Sequence, residues 1–210
     1  GPEAVIQLAR DLGIESEMEP VVSQCFGVAD LSLMEITSAN ATFANMGVHI
    51  EPIYILRIED KNGKTIYRMQ PETNEALDER TAYTMLSLMK GTVDGVYNEH
   101  EGRSLGTAVR LKMDLPSREY DGFDREIPIA AKTGTTQNQS DGWFIGLTPD
   151  LVTGVWVGAE DRSVHFRTLS MGMGTNMALP IWGYYMKAAY ADPSLDISQG
   201  DFDKPEGIAV

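Results

Sequence analysis

Cysteine is nearly absent from this chain of 210 residues. Cys25 stands alone, so no disulfide can close within it and no cysteine cage can hold zinc. One thiol suits either side of a membrane and does not decide the compartment. Histidine is almost as scarce: His49, His100 and His165 lie far apart and match no metal-ligand spacing. They read as surface or locally satisfied side chains, and no metal site is expected. Basic charge is short as well, with 17 Lys and Arg against 31 Asp and Glu for a net charge of −14. That balance repels phosphate backbones and anionic lipid heads, and the basic residues are scattered, so nucleic acid is excluded as a partner. No apolar run approaches the roughly 18 residues that cross a bilayer, and the start lacks the basic, apolar and small-residue order of a signal peptide.

What is present suffices for a core. At 42% hydrophobic, a compact chain of this size buries roughly 70% of its unfolded surface. The chain opens inside regular structure, with Pro2 in a first turn, a stripe of Val5, Ile6, Leu8, Ala9 and Leu12, and Gly13 as a stop. A start of this kind leads us to expect a further segment upstream. A buried helix is predicted from Ser32 to Asn45 on Leu33, Ile36, Thr37, Ala41 and Ala44. Asp60-Lys-Asn-Gly63 between β-branched runs predicts a hairpin whose two turn residues, Asn62 and Gly63, both take positive φ. A second helix, about Arg80 to Val93, should face inward with Ala82, Met85, Leu86, Met89 and Val93.

Residues 95–127, broken by Gly95, Gly102, Gly106, Pro116 and Gly122, read as a long polar surface excursion. Strands follow at Ile127–Thr135, Gly142–Thr148 and Leu151–Ala159, the last two joined by a Pro149-Asp150 turn and therefore antiparallel. A closing helix, Met177 to Tyr190, should turn Ile181, Trp182, Tyr185 and Ala189 inward. The order is α+β, one domain over residues 1–191 with an acidic tail over 192–210 that frays. Three strands make a poor independent sheet, so it is expected to be incomplete and to want cover on both faces.

Three short motifs fail on context. Gly102-Arg-Ser104-Leu-Gly106 matches a nucleophile elbow, yet Tyr97-Asn-Glu-His-Glu101 before it cannot be the buried strand that an elbow needs. Ser87-Leu-Met-Lys90 matches Ser-x-x-Lys, but Ser87 lies inside its helix, where its N–H already bonds the preceding turn and cannot serve an oxyanion. Ser38-Ala-Asn40 resembles Ser-x-Asn and is likewise mid-helix.

Lys132-Thr133-Gly134-Thr135-Thr136 has the right context, at the end of the apolar run Ile127-Pro-Ile-Ala-Ala131. Lys132 supplies a cation, Thr133 and Thr135 project to one side, and Gly134 leaves room for another backbone. This edge suits an extended peptide that adds along the strand and ends in a carboxylate.

The flanks extend the match. Lys132 through Gly146, Thr148-Pro-Asp-Leu-Val152, Val155-Trp-Val-Gly158 and Ala178-Leu-Pro-Ile-Trp182 resemble the C-terminal half of the transpeptidase domain of bifunctional (class A) penicillin-binding proteins. Upstream, Gly1-Pro-Glu-Ala-Val-Ile6, Leu12-Gly-Ile14, Phe43-Ala-Asn-Met-Gly47 and Ile58-Glu-Asp-Lys-Asn-Gly63 are similar to the same family in the same order. The resemblance implies the C-terminal part of the penicillin-binding, β-lactamase-like serine transpeptidase fold, an antiparallel sheet flanked by helices.

It further implies an enzyme that cross-links peptidoglycan stem peptides by serine acyl transfer and is blocked by β-lactam antibiotics, without metal or organic cofactor. By resemblance Lys132 aids the proton relay, Thr133 and Thr135 hold the terminal carboxylate, and the Thr135 N–H is one oxyanion donor. Gly134 and Thr136 complete the peptide-binding strand. In the family Ser-x-x-Lys and Ser-x-Asn both precede Lys-Thr-Gly, so the true nucleophile is expected upstream of Gly1, in another half of the same domain. Gly142 departs from the family pattern and is expected to change what packs over Lys132. The parent is expected to be anchored by an N-terminal helix, with a glycosyltransferase domain, on the periplasmic face of the membrane. A serine β-lactamase or D,D-carboxypeptidase shares the fold, although the aromatic and Pro-Ile-Trp flanks favour the transpeptidase. A non-catalytic binding module on this scaffold is the reading from another class.

Overall fold

A computed structural model describes residues 1–112 and 127–208. Its elements in chain order begin with α1, Pro2–Asp11, then α2, Leu33–Ala44, and the short strands β1, Val48–Ile50, β2, Arg57–Glu59, β3, Thr65–Arg68, and β4, Thr73–Glu75. They continue with α3, Glu79–Asp94, the strands β5, Val96–Asn98, and β6, Arg103–Leu105, and the site-bearing strands β7, Ala130–Thr135, β8, Asp141–Leu147, and β9, Val152–Gly158. The chain closes with α4, Leu169–Gly172, and α5, Gly174–Ala191.

Local chemistry explains the helix starts. Ser32 and Glu35 form a reciprocal capping box at α2, and the Asp78 side chain accepts the Thr81 N–H at the start of α3, so donors that a first turn leaves free are satisfied. The Glu35 carboxylate also accepts from Glu15 N at 3.0 Å, Ser16 N at 2.8 Å and Ser16 Oγ at 2.8 Å, which ties the segment after α1 to α2.

Strands β7, β8 and β9 form one antiparallel sheet in that order, with Lys132 opposite Ile145 and Gly134 opposite Trp143. Helices cover both faces. On one, Ile129, Ala131 and Phe144 pack against Ala178, Leu179, Trp182 and Met186 of α5. On the other, Ala130, Ile145 and Leu147 meet Tyr83, Leu86 and Met89 of α3, with Leu33, Ile36 and Phe43 of α2 beside them. The approach of α5 depends on Gly146, where a Cβ would lie 2.4 Å from the Trp182 ring. The α+β arrangement is as expected, and both faces are covered within this chain. Among the described residues β7 and β9 keep one unpaired edge each.

Several expectations are corrected. The β2–β3 hairpin forms, but only Gly63 has positive φ. Asp60 O accepts from Gly63 N and Asp60 N donates to Lys64 O, so the loop is a type I turn followed by a glycine bulge rather than a two-residue turn. Val5 and Leu8 of α1 are exposed, and the deepest residues of α2 are Ala39 and Thr42 rather than the expected stripe. In α3 Tyr83 is buried where Met85 was expected. In α5 Ile181 and Tyr185 face outward, since the buried row is Ala178, Trp182 and Met186 at i, i+4 spacing.

The polar excursion is not wholly superficial. Residues 96–105 form the antiparallel β5–β6 hairpin, and Ala108, Leu111 and Ile127 join the α5-side core. Pro116 and Gly122 lie outside the described residues. The tail does not fray over its described length. Phe202 is buried against α3 and the sheet, Lys90 lies 5.9 Å above its ring, and Ser198 N donates to Asp150 at 2.6 Å.

Two outcomes follow. Phe202→Ala should cost about 3 kcal/mol in denaturant unfolding, whereas a change below about 0.5 kcal/mol would mark the docked tail as energetically idle. Hydrogen bonds from Ser32 and Ser16 lower the Glu35 pKa from 4.5 to about 2. The folded state therefore holds this proton less tightly than the unfolded chain. Its contribution is present above pH 4.5 and is lost as pH falls towards 2. Glu35→Gln should flatten that acid limb of the melting temperature against pH.

Candidate active site

The Lys-Thr-Gly segment lies on β7, the edge strand, where a buried base gives way to an open end. Ala130 and Ala131 are buried, Lys132 and Thr135 are exposed, and Thr133 and Gly134 are half-buried. Thr92 Oγ1 donates to Ala131 O at 2.8 Å from outside the sheet, while Thr136 N points inward to Asp141 O at 3.3 Å. In an antiparallel ladder the direction of N–H and C=O alternates with each residue. The backbone groups of Thr133 and Thr135 therefore face the outer edge. This is the geometry an added strand requires.

Side chains alternate in the same way. Thr133 and Thr135 share the α5 face with Ala131, whereas Lys132 and Gly134 lie on the α3 face with Ala130. The cation and the two hydroxyls thus occupy opposite faces and meet only at the edge, where Lys132 Nζ curls to donate to Thr133 O at 2.6 Å. Thr135 Oγ1 accepts the Gly174 N–H at 3.1 Å. Gly134 does not leave an empty gap: a Cβ there would lie 3.0 Å from the Cβ of Trp143, its cross-strand partner. The indole of Trp143, edge-on to Trp156 at 6.3 Å and donating to Asp141 at 3.2 Å, walls the Lys132 face. Gly142 lies on the α5 face against Met177 and Gly174, so it does not alter the packing over Lys132 as expected.

Thr136 departs from the expected set. Its hydroxyl pairs with Ser140 Oγ at 2.9 Å and accepts Asp141 N at 3.1 Å, closing the β7–β8 turn. The motifs set aside on context stay apart from the edge. Ser87 is mid-α3, and the Lys90 ammonium turns to Asp201 at 3.3 Å. Ser104 sits on β6 opposite Tyr97. Asn40 donates to Ile36 O within α2 at 2.8 Å. A cleft of about 440 Å³ near Gly13, Glu35, His49 and Asn74 does not include β7, and its Glu35 carboxylate already accepts from Ser32, Glu15 and Ser16. Sequence reasoning missed Thr92 and the Gly174 N–H, because both reach β7 from distant helices with no local signal.

The site is thus an open edge strand carrying Lys-Thr-Gly in a sheet with helices on both faces. Residues 16–160 match the penicillin binding protein transpeptidase domain, and the chain belongs to that family. It is 31% identical over 187 residues to penicillin-binding protein 1A of Aquifex aeolicus, covering 89% of this chain and 22% of that protein. It is also 31% identical over 205 residues to penicillin-binding protein 1A of Rickettsia typhi, covering 96% and 26%. The chain thus spans about a quarter of the length of these relatives. The structure of the penicillin-binding protein PonA1 from Mycobacterium tuberculosis superposes with a TM-score of 0.74 at 23% identity, covering 99% of this chain and 53% of that one. That of penicillin-binding protein 1A from Haemophilus influenzae gives 0.71 at 22%, covering 91% and 31%. These two likenesses show the fold.

The Thr92 proton is shared between Met89 O and Ala131 O. Thr92→Val keeps the shape and leaves an edge carbonyl without its partner, so it should cost about 1–2 kcal/mol in urea unfolding. No change would mean that water takes the position without penalty.

Proposed function

We propose that this chain supplies the Lys-Thr-Gly strand of a peptidoglycan D,D-transpeptidase, joined in the intact protein to an upstream half of the same domain that carries the nucleophile. The observation that carries this reading is the open edge of β7, with outward backbone at Thr133 and Thr135 and the Lys132 ammonium beside it. Family membership supports it. So do the mid-helix positions of Ser87 and Ser38, whose backbone N–H groups are committed to the preceding turn and cannot serve an oxyanion.

The donor stem peptide adds along β7 through the outward groups of Thr133 and Thr135. The hydroxyls of these two threonines hold its terminal carboxylate, and Gly134 keeps the strand flat against Trp143. A serine of the upstream half attacks the carbonyl carbon of the penultimate D-alanine. Its proton passes, with Lys132 maintaining positive potential in the relay, to the amine of the departing terminal D-alanine. The Thr135 N–H stabilises the oxyanion together with the serine's own N–H. The acceptor amine of a second stem peptide then attacks the acyl-enzyme, forming the cross-link and releasing the serine. A β-lactam enters as a cyclic mimic of the D-Ala-D-Ala end. A structure of penicillin-binding protein A from Mycobacterium tuberculosis is a penicillin G acyl-enzyme complex, which supports this reading. Thr136 serves the strand indirectly, by closing the turn after it.

No described helix is long and apolar enough to cross a membrane, and the anchor of this reading lies upstream, with the domain on the periplasmic face. Fluorescent penicillin should label the intact protein at a serine outside residues 1–210 and leave this chain alone unlabelled. Lys132→Ala should slow labelling of the intact protein by about 10²- to 10³-fold with little change in melting temperature. Label on Ser87, or an intact protein that never labels, would overturn the assignment.

A further inference from the structure

The first turn of α5 sits directly over the end of β7. Its first residue, Gly174, has no side-chain cap from its own helix, and its N–H donates instead to Thr135 Oγ1 at 3.1 Å. A hydroxyl has one proton and two lone pairs. With a lone pair filled by Gly174, Thr135 is biased to offer its proton to whatever lies at the edge. The positive end of a helix of 18 residues strengthens that donor by polarising the oxygen.

The approach needs bare backbone on both sides. A Cβ on Gly174 would lie 2.4 Å from Gly134 O and 2.6 Å from Trp143 O. One on Gly142, the register partner of Thr135, would lie 2.5 Å from Met177 Cε and 2.9 Å from Gly174 Cα. Arg110 ties the same turn down by donating to Thr175 O at 2.9 Å and to the Asn176 side chain.

We propose that Gly174 is a positioning residue for Thr135, its N–H holding the threonine hydroxyl as a proton donor that selects a free carboxylate at the end of the bound peptide. The inference rests on the transpeptidase reading of β7. A terminal carboxylate accepts this proton. An end that is esterified offers a weaker, uncharged acceptor. Thr135 thereby discriminates by charge without contributing a charge of its own.

The test compares benzylpenicillin with its methyl ester as acylating probes of the intact protein, each read by competition with fluorescent penicillin. Gly174→Ala should lower the acid-to-ester rate ratio by roughly tenfold. Thr135→Val should lower it similarly, the double variant should be no lower than either, and Thr135→Ser should keep the ratio of the unmodified protein. Acid and ester rates that fall together, or losses that multiply in the double variant, would overturn the inference alone. Should Gly174→Ala fail to fold, glycolate in place of Gly174 removes the N–H without adding a Cβ, and the same loss of ratio is expected; an unchanged ratio overturns the proposal. An unmodified protein that neither probe acylates overturns the transpeptidase reading, and this inference with it.

Discussion

The contact of Trp182 with the bare backbone at Gly146 sets how closely α5 lies on the sheet, and the site depends on that distance. A packed interior transmits a shift of a few tenths of an ångström because it has little free volume to absorb one. Glycines 142, 146 and 174 let one helix run along β8 in near-backbone contact. Its N-terminus is thereby delivered to Thr135. The core residues of α5 and the hydroxyl at the strand edge are thus linked through one packed layer.

Electrostatics gives this placement its use. The chain carries a net charge of −14, and in the proposed function a carboxylate-bearing peptide would approach it against that field. Screening confines the repulsion to about 10 Å at ordinary salt, so recognition falls to positive groups within contact range. Among the described residues, the Lys132 ammonium and, through Thr135, the N-terminus of α5 lie at β7 to fill that proposed role. They come from opposite faces of the strand and converge at its edge. With helices over both faces of the sheet, the open part of β7 is its edge.

Legibility in the sequence followed the range of the interaction. The glycine at 63 and the Pro149-Asp150 turn act over a few residues, and each lies where local reading placed it. Face assignments were less secure. Tyr83 in place of Met85, and a buried row that excludes Ile181 and Tyr185, are errors of one or two positions on a helix. Periodicity cannot resolve these, because neighbouring apolar residues offer two possible stripes and the partner surface chooses between them. The tail looked free because its composition is polar and acidic, yet one aromatic, Phe202, was enough to dock it.

The candidate site divides along the same line. Lys132, Thr133, Gly134 and Thr135, their place on a strand and the family they signal could be read from the chain itself, since those properties belong to contiguous residues. Which backbone groups face outward, that Thr136 closes a turn, that Trp143 fills the space at Gly134, and that Gly174 grips Thr135 were decided only on folding. Each depends on the register of β7 against β8 and the seating of α5, and these are contacts between residues far apart in sequence whose energy appears only when both surfaces are in place.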